Sequence, residues 1–216
     1  MTTSQATVAA TTPASGLRAT WLVALGGLCG LAWAAGLRGF MALVAGWDHH
    51  TTWVGTFGWV LVPGVVTGEL LGWAEHLRRT GGRRRWRWLA CAPLSFLALF
   101  VPGLVDPGSL LEGGIGGGAI ALPLMGMAGG YALSRRGPVW GRVLAGVLPL
   151  SAVPTWALTA TRVGGPEFAL DQPFGAWAAL YLWSFVAWLS LGCAVPHRPV
   201  ARLTSGLPSP GRRAVH

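Results

Sequence analysis

A chain of 216 residues with 52% apolar residues, only 11% charged and 33 glycines lies well outside the range of soluble domains, in which about 25% of residues are charged. Its formal charge of +9 comes from sixteen arginines against seven acids, and a chain without lysine can form no retinal or pyridoxal Schiff base and has no P-loop lysine. Cys29, Cys91 and Cys193 make no C-x-x-C pair, which removes the usual thiol redox motif and a thiolate zinc cluster.

Taken in chain order, residues 1–18 are small, polar and weakly charged and are expected to form a disordered cytoplasmic tail. A hydrocarbon layer about 30 Å thick needs roughly 20 apolar residues of helix, and the first such stretch is 19–45. Ala32-Trp33-Ala34 resembles a leader cleavage site, but apolar sequence runs on to Trp47, so the stretch is read as a retained span. Arg38 falls near its outer end. The sequence Trp47-Asp48-His49-His50 follows; imidazole and carboxylate together could bind a divalent cation. Adjacent histidines share no helical face, which favours an ordinary loop and no metal site.

The second stretch, 52–74, carries Gly64, Gly68 and Gly72 at intervals of four, the spacing that lets helix backbones approach closely in lipid. Close packing within the chain is the first reading of this face, and a homodimer seam is the second. Glu69 stands on the same helix, six residues inside Glu75, or about 9 Å deeper at 1.5 Å per residue. A carboxyl at that depth should be protonated, paired or hydrated. Its closeness to the glycine face is expected to turn it toward neighbouring helices. A neutral carboxyl hydrogen-bonded to a neighbouring helix, an ion pair with Arg135 or Arg142, and a proton or cation relay are all open.

Between this stretch and the next lies HLRRTGGRRRWRW, residues 76–88, with Arg78, Arg79, Arg83, Arg84, Arg85 and Arg87. A link this short cannot fold as a nucleic-acid module, so no nucleic-acid partner is expected. It acts as a topology determinant, with docking on anionic lipid headgroups as a further role, since tryptophan favours the headgroup region and each arginine there contributes about 1 kcal/mol.

The third stretch, 88–105, ends at VDPGSLLEGG with Asp106 and Glu112. The fourth, 115–134, carries Gly126 and Gly130, with Gly114 and Gly118 before them, and closes on Arg135, Arg136 and Arg142. The fifth, 141–162, ends at Arg162, and Glu167 and Asp171 follow. After the sixth, 174–195, come Arg198, Arg202, Arg212 and Arg213 in a second tail over 197–216. Pro63, Pro102, Pro123, Pro149 and Pro154 inside these stretches should kink them.

Fourteen arginines therefore lie in alternate connections and tails, and five of the seven acids lie in the others. The positive-inside rule places both termini in the cytoplasm. Arg38 and Arg162 are the exceptions, facing the acids as a salt-bridged rim or as an outward site for an anion. The ends GWAEHLRR (72–79) and GYALSRR (130–136), and the starts RWLACAPLS (87–95) and RVLAGVLPLS (142–151), resemble each other, the pattern of a duplicated helical hairpin.

The expected fold is all-α: a polytopic bundle of six transmembrane helices over 19–196 in the cell membrane. Three function classes remain open. A membrane assembly or scaffold protein packed through its glycine faces is favoured slightly. A small permease or channel using Glu69, Arg38 and Arg162 is the alternative, and an intramembrane enzyme is the third. No cofactor is implied. The hydrolase signatures G-x-S-x-G and H-E-x-x-H are absent.

Overall fold

The computed structural model describes residues 13–46, 51–100 and 118–200. Trp47 to His50, Asp106, Glu112, Gly114, Pro102 and most of both tails lie outside the described residues. Within them the fold is all-α, with six α-helices: α1 (Pro13–Ala45), α2 (Val62–Arg79), α3 (Gly118–Ala132), α4 (Val139–Leu150), α5 (Ala152–Gly164) and α6 (Pro173–Ala194). Four stretches are long and apolar enough to cross a membrane: Gly16–Ala45, Trp53–Arg79, Val139–Gly164 and Pro173–His197. They coincide with the first, second, fifth and sixth expected spans. The chain thus has the build of a multi-pass integral membrane protein. Helix α1 starts at Pro13, so residues 13–18 are helical where a tail was expected; proline suits the first turn, which has no use for its missing N–H.

The prolines change helix type. Ahead of α2, Trp53–Leu61 is a π-helix in which the Val62 N–H donates to Phe57 O, an i to i−5 bond. Pro63 has no N–H to give Trp59 O four residues back, and a widened turn relieves the clash of its ring with that carbonyl. The third stretch, Trp86–Phe100, is a 3₁₀ helix with Pro93 inside it. Its 15 residues rise about 2.0 Å each, so the segment reaches about 30 Å, the thickness of the hydrocarbon layer. The fifth stretch bends at Ser151 between α4 and α5, where Pro149 and Pro154 withhold two donors in succession. The Ser151 N–H donates to Val147 O at 2.9 Å and its hydroxyl to Leu148 O at 2.7 Å.

Helices α1 and α2 pack antiparallel and backbone to backbone. A methyl group added at Gly68 would strike Gly26 O, and one at Gly64 would strike the Ala34 side chain. The same test at Gly72 meets Leu22 O, at Gly26 the Gly68 carbonyl, and at Gly30 the Gly64 carbonyl. In α3, Gly126 lies against Leu189, Gly129 against Ser190 and Gly130 against Cys193, all on α6. Gly64, Gly68, Gly72, Gly126 and Gly130 thus meet α1 or α6, so a second copy of the chain would have to dock on a face other than these.

Aromatic rings fill the space between the two pairs. Trp33 of α1 meets Phe96 at 5.6 Å and Phe185 at 6.0 Å, both edge-on, and its indole N–H donates to Phe185 O at 3.1 Å. Phe40 contacts Trp156, Tyr181 and Phe185. The Tyr181 hydroxyl donates to Gly36 O at 3.2 Å. The polar tips of Trp33 and Tyr181 are thus paired to backbone, whereas the buried Trp156 indole N–H has no hydrogen-bond partner among the described residues.

Candidate functional site: the arginine-rich end

Helix α2 closes on a basic turn with His76, Arg78 and Arg79, cations that suit the negative end of a helix dipole. Glu75 collects two of them: Arg78 donates through Nε to Oε2 at 2.7 Å and through Nη2 to Oε1 at 2.7 Å, and Arg79 donates through Nε at 2.6 Å. Thr80 caps the helix, and Gly81 and Gly82 follow with φ of +98° and +74°. The Gly82 N–H donates to Leu77 O at 2.7 Å. Two successive left-handed residues reverse the chain, a task that glycine performs at least cost.

After this reversal Trp86 turns inward, 7% exposed, onto Ala74 and Leu77, with Leu89, Val195 and Val200 beside it. Arg83, Arg84, Arg85 and Arg87 remain outside, as does Trp88, which is 72% exposed. The C-terminal segment joins the same place: Arg78 Nη1 donates to Pro199 O at 3.5 Å.

The turn after α3 is the third component. The Arg136 N–H donates to Ser134 Oγ at 3.1 Å, and Arg142 reaches back from α4 to donate through Nε to Ala132 O at 3.1 Å. Arg135 and Gly137 take left-handed φ of 53° and 77°. The Tyr131 hydroxyl sits against Gly137, and its ring meets His197 edge-on at 6.1 Å. Arg136 and Arg87 are both within electrostatic range of that imidazole.

Three connections distant in sequence thus converge at one end of the bundle. Two shallow cavities open there. One, of about 350 Å³, is lined by Arg83, Arg85, Trp86, Arg87 and Trp88. The other, of about 260 Å³, shares Arg87 and Trp88 and is completed by Ala90, Cys91, Met127, Tyr131 and His197.

No protein-family model, curated protein or solved structure matches the chain.

The other residues singled out from the sequence lie apart from this end. Glu69 is on the exposed side of α2, with its side chain covering Gly27 of α1. It has no hydrogen-bond or ion-pair partner among the described residues, and so no pair with Arg135 or Arg142. The side chain lies over a neighbouring helix at the exposed edge of the seam, because Gly68 and Gly72 close the seam itself with backbone. Arg38 donates to Thr56 Oγ1 at 3.1 Å and to Thr51 Oγ1 at 3.4 Å, tying α1 to the start of the π-helix. Arg162 is exposed in the last turn of α5. Glu167 and Asp171 are exposed beyond it. Among the described residues no group of three His, Cys, Asp or Glu gathers in metal-binding range.

Tyr131, His197 and Met127 carry no motif in the sequence, and Cys91 stands there only as a thiol without a C-x-x-C partner. Tyr131 and His197 each sit where an apolar stretch meets arginine, and that was the available signal. Only the agreement of three connections in charge implied that they share an end.

Proposed function

We propose that the chain is a six-span protein of the cell membrane with both termini in the cytoplasm, acting as an assembly or scaffold element whose arginine-rich end rests on anionic headgroups. The observation that carries this reading is the backbone interlock of α1 with α2. A seam in which added methyl groups would strike carbonyl oxygens is a rigid support and leaves no water path between those helices. The six-span count adds two segments to the four long stretches: the 3₁₀ helix, by its reach of about 30 Å, and α3. Convergence of the basic connections at one end supports the orientation, because the sign of connecting charge sets it. Arg78, Arg79, Arg83, Arg84, Arg85 and Arg87 supply the headgroup contact. The hairpin formed by α2 with the 3₁₀ helix and that formed by α3 with α4 would be the two copies of a duplication.

A permease is the second reading, favoured by one observation: Glu69 lies within a span and lacks a partner among the described residues. Intramembrane acids often mark ion pathways, and Arg38 and Arg162 would serve the far end. Flux of protons and monovalent ions into proteoliposomes separates the two. The scaffold reading expects flux equal to that of protein-free vesicles. Flux that is present in the parent and abolished by Glu69→Gln, which keeps the shape and removes the ionisation, transfers the assignment to the permease.

A further inference from the structure

The smaller cavity at the arginine-rich end divides by chemistry along its depth. Arg87, Tyr131 and His197 stand at the level of the connections, and Arg136 precedes Gly137, against which the Tyr131 hydroxyl sits. Ala90, Cys91 and Met127 form the walls below. Met127 is five residues before the end of α3 at Ala132, about 7.5 Å along the helix. Cys91 is five residues into the 3₁₀ helix from Trp86, about 10 Å along it. The groove thus runs from the arginine-rich connections about 7.5–10 Å along the helices toward the middle of the bundle.

We propose that this groove, between the 3₁₀ helix, α3 and the end of α6, is a binding site for one anionic glycerophospholipid, its phosphate held by Arg87, Arg136 and His197 and the start of an acyl chain laid along Ala90, Cys91 and Met127. The inference rests on the proposed membrane setting and deepens it from a diffuse basic surface to a discrete site. Charge complementarity selects an anion: among the described residues no carboxylate lines the groove, and Glu75, the acid of the neighbouring turn, is occupied by Arg78 and Arg79. The apolar walls select an amphiphile, since a soluble anion would use only the mouth and leave Cys91 and Met127 idle.

The mouth is also held in shape before any ligand arrives. Ser134 fixes the Arg136 backbone, Arg142 ties down the end of α3, and the buried Trp86 anchors the chain beside Arg87. Preorganised donors lose little freedom on binding, which favours a specific site over a chance encounter. Exposed Trp88 borders the groove at the depth where tryptophan meets lipid headgroups.

Native mass spectrometry of the full chain released from nanodiscs tests this. Nanodiscs of phosphatidylcholine with phosphatidylglycerol as the anionic component should yield one retained phosphatidylglycerol per chain. Arg87→Gln with Arg136→Gln should lower its retention about tenfold or more, since each arginine near an anionic headgroup contributes about 1 kcal/mol and direct pairing adds to that. Arg18→Gln with Arg135→Gln removes the same charge from exposed positions outside the groove and should change retention less than about twofold. Met127→Trp, which fills the walls without altering charge, should displace the lipid, and a circular dichroism melt confirms that each variant is folded. Equal losses from the two arginine pairs, retention of phosphatidylcholine equal to that of phosphatidylglycerol, or full competition by soluble glycerol phosphate would each overturn the site. The measurement does not depend on which side of a membrane the arginines occupy, so an inverted orientation would sink the proposed setting without touching this result.

Discussion

At the scale of single residues, the hydrogen atom that serves as the side chain of Gly68 decides how close α1 and α2 can come. Its position faces Gly26 O and the Gly30 Cα, both backbone atoms that cannot rotate away. Gly68→Ala should therefore push the helices apart and destabilise the chain by about 1–3 kcal/mol, the usual cost of overpacking. Gly39, on the same partner helix, has nothing within 4 Å of an added methyl; Gly39→Ala should be neutral or slightly stabilising, by up to about 1 kcal/mol from helix propensity. Thermal aggregation of both variants in one detergent checks the pair, and equal melting would show that the seam is looser than the distances imply. Spacing of four revealed the Gly64, Gly68 and Gly72 face, but spacing carries no information on the partner. Glu69 shows the same limit: adjacency to that face points its carboxyl toward a neighbouring helix, and the side chain lies over Gly27 of α1, but at the exposed edge, since glycine backbone closes the seam itself.

At the scale of elements, helix type was the part least visible in the sequence. Apolar stretches were measured in windows of about 20 residues, which assumes the 1.5 Å rise of an α-helix. The proline positions foretold disturbance at Pro63, Pro149 and Pro154, yet not its form: a π-helix before the first and a bend at Ser151 between the other two. Pro93 and the 3₁₀ geometry around it were not foreseen, because hydrophobicity alone does not distinguish a rise of about 2.0 Å from one of 1.5 Å. A stretch of 3₁₀ helix has poorer hydrogen-bond geometry than an α-helix and needs support from its neighbour. Thr67 Oγ1 and Ser95 Oγ lie 2.8 Å apart, Ser95 donates to Pro63 O at 3.1 Å, and Thr67 has Ala92 O at 3.4 Å as a further acceptor. With one proton on each hydroxyl, a consistent chain runs from Thr67 through Ser95 to Pro63. Thr67→Val and Ser95→Ala should each destabilise the hairpin, and because both disrupt the same chain their effects should fall short of adding. The coupling in a double-mutant cycle should be about 0.5–1.5 kcal/mol, within the range for hydroxyl bonds between helices in lipid. Full additivity would mean that the two hydroxyls act separately.

At the scale of the whole molecule, charge and packing agree on a direction. The three basic connections share one sign in the sequence, and the fold brings Arg78 to Pro199 and Arg87 and Tyr131 to His197 at one end. The bend at Ser151 and the exposed Glu167 and Asp171 belong to segments running away from that end, since α5 continues from α4 for 13 residues before the chain returns through α6. Arg83 and Leu170 are both exposed and stand at the start and finish of this axis. In a background with Cys29, Cys91 and Cys193 replaced by alanine, Arg83→Cys should react with a membrane-impermeant maleimide only after the cytoplasmic face is opened, and Leu170→Cys should react in intact cells. The arginines make the opposite arrangement costly, because moving the loop of six arginines across the bilayer opposes both the membrane potential, at about 2.3 kcal/mol per charge per 100 mV, and the attraction of anionic cytoplasmic headgroups. Removing Arg83, Arg84, Arg85 and Arg87 together should weaken that bias and yield a mixed population, whereas removing Arg38 and Arg162 should leave the labelling unchanged. Reaction of both cysteines from the same side would break the link between the basic end and the cytoplasmic leaflet, because no odd number of spans would then separate residue 83 from residue 170.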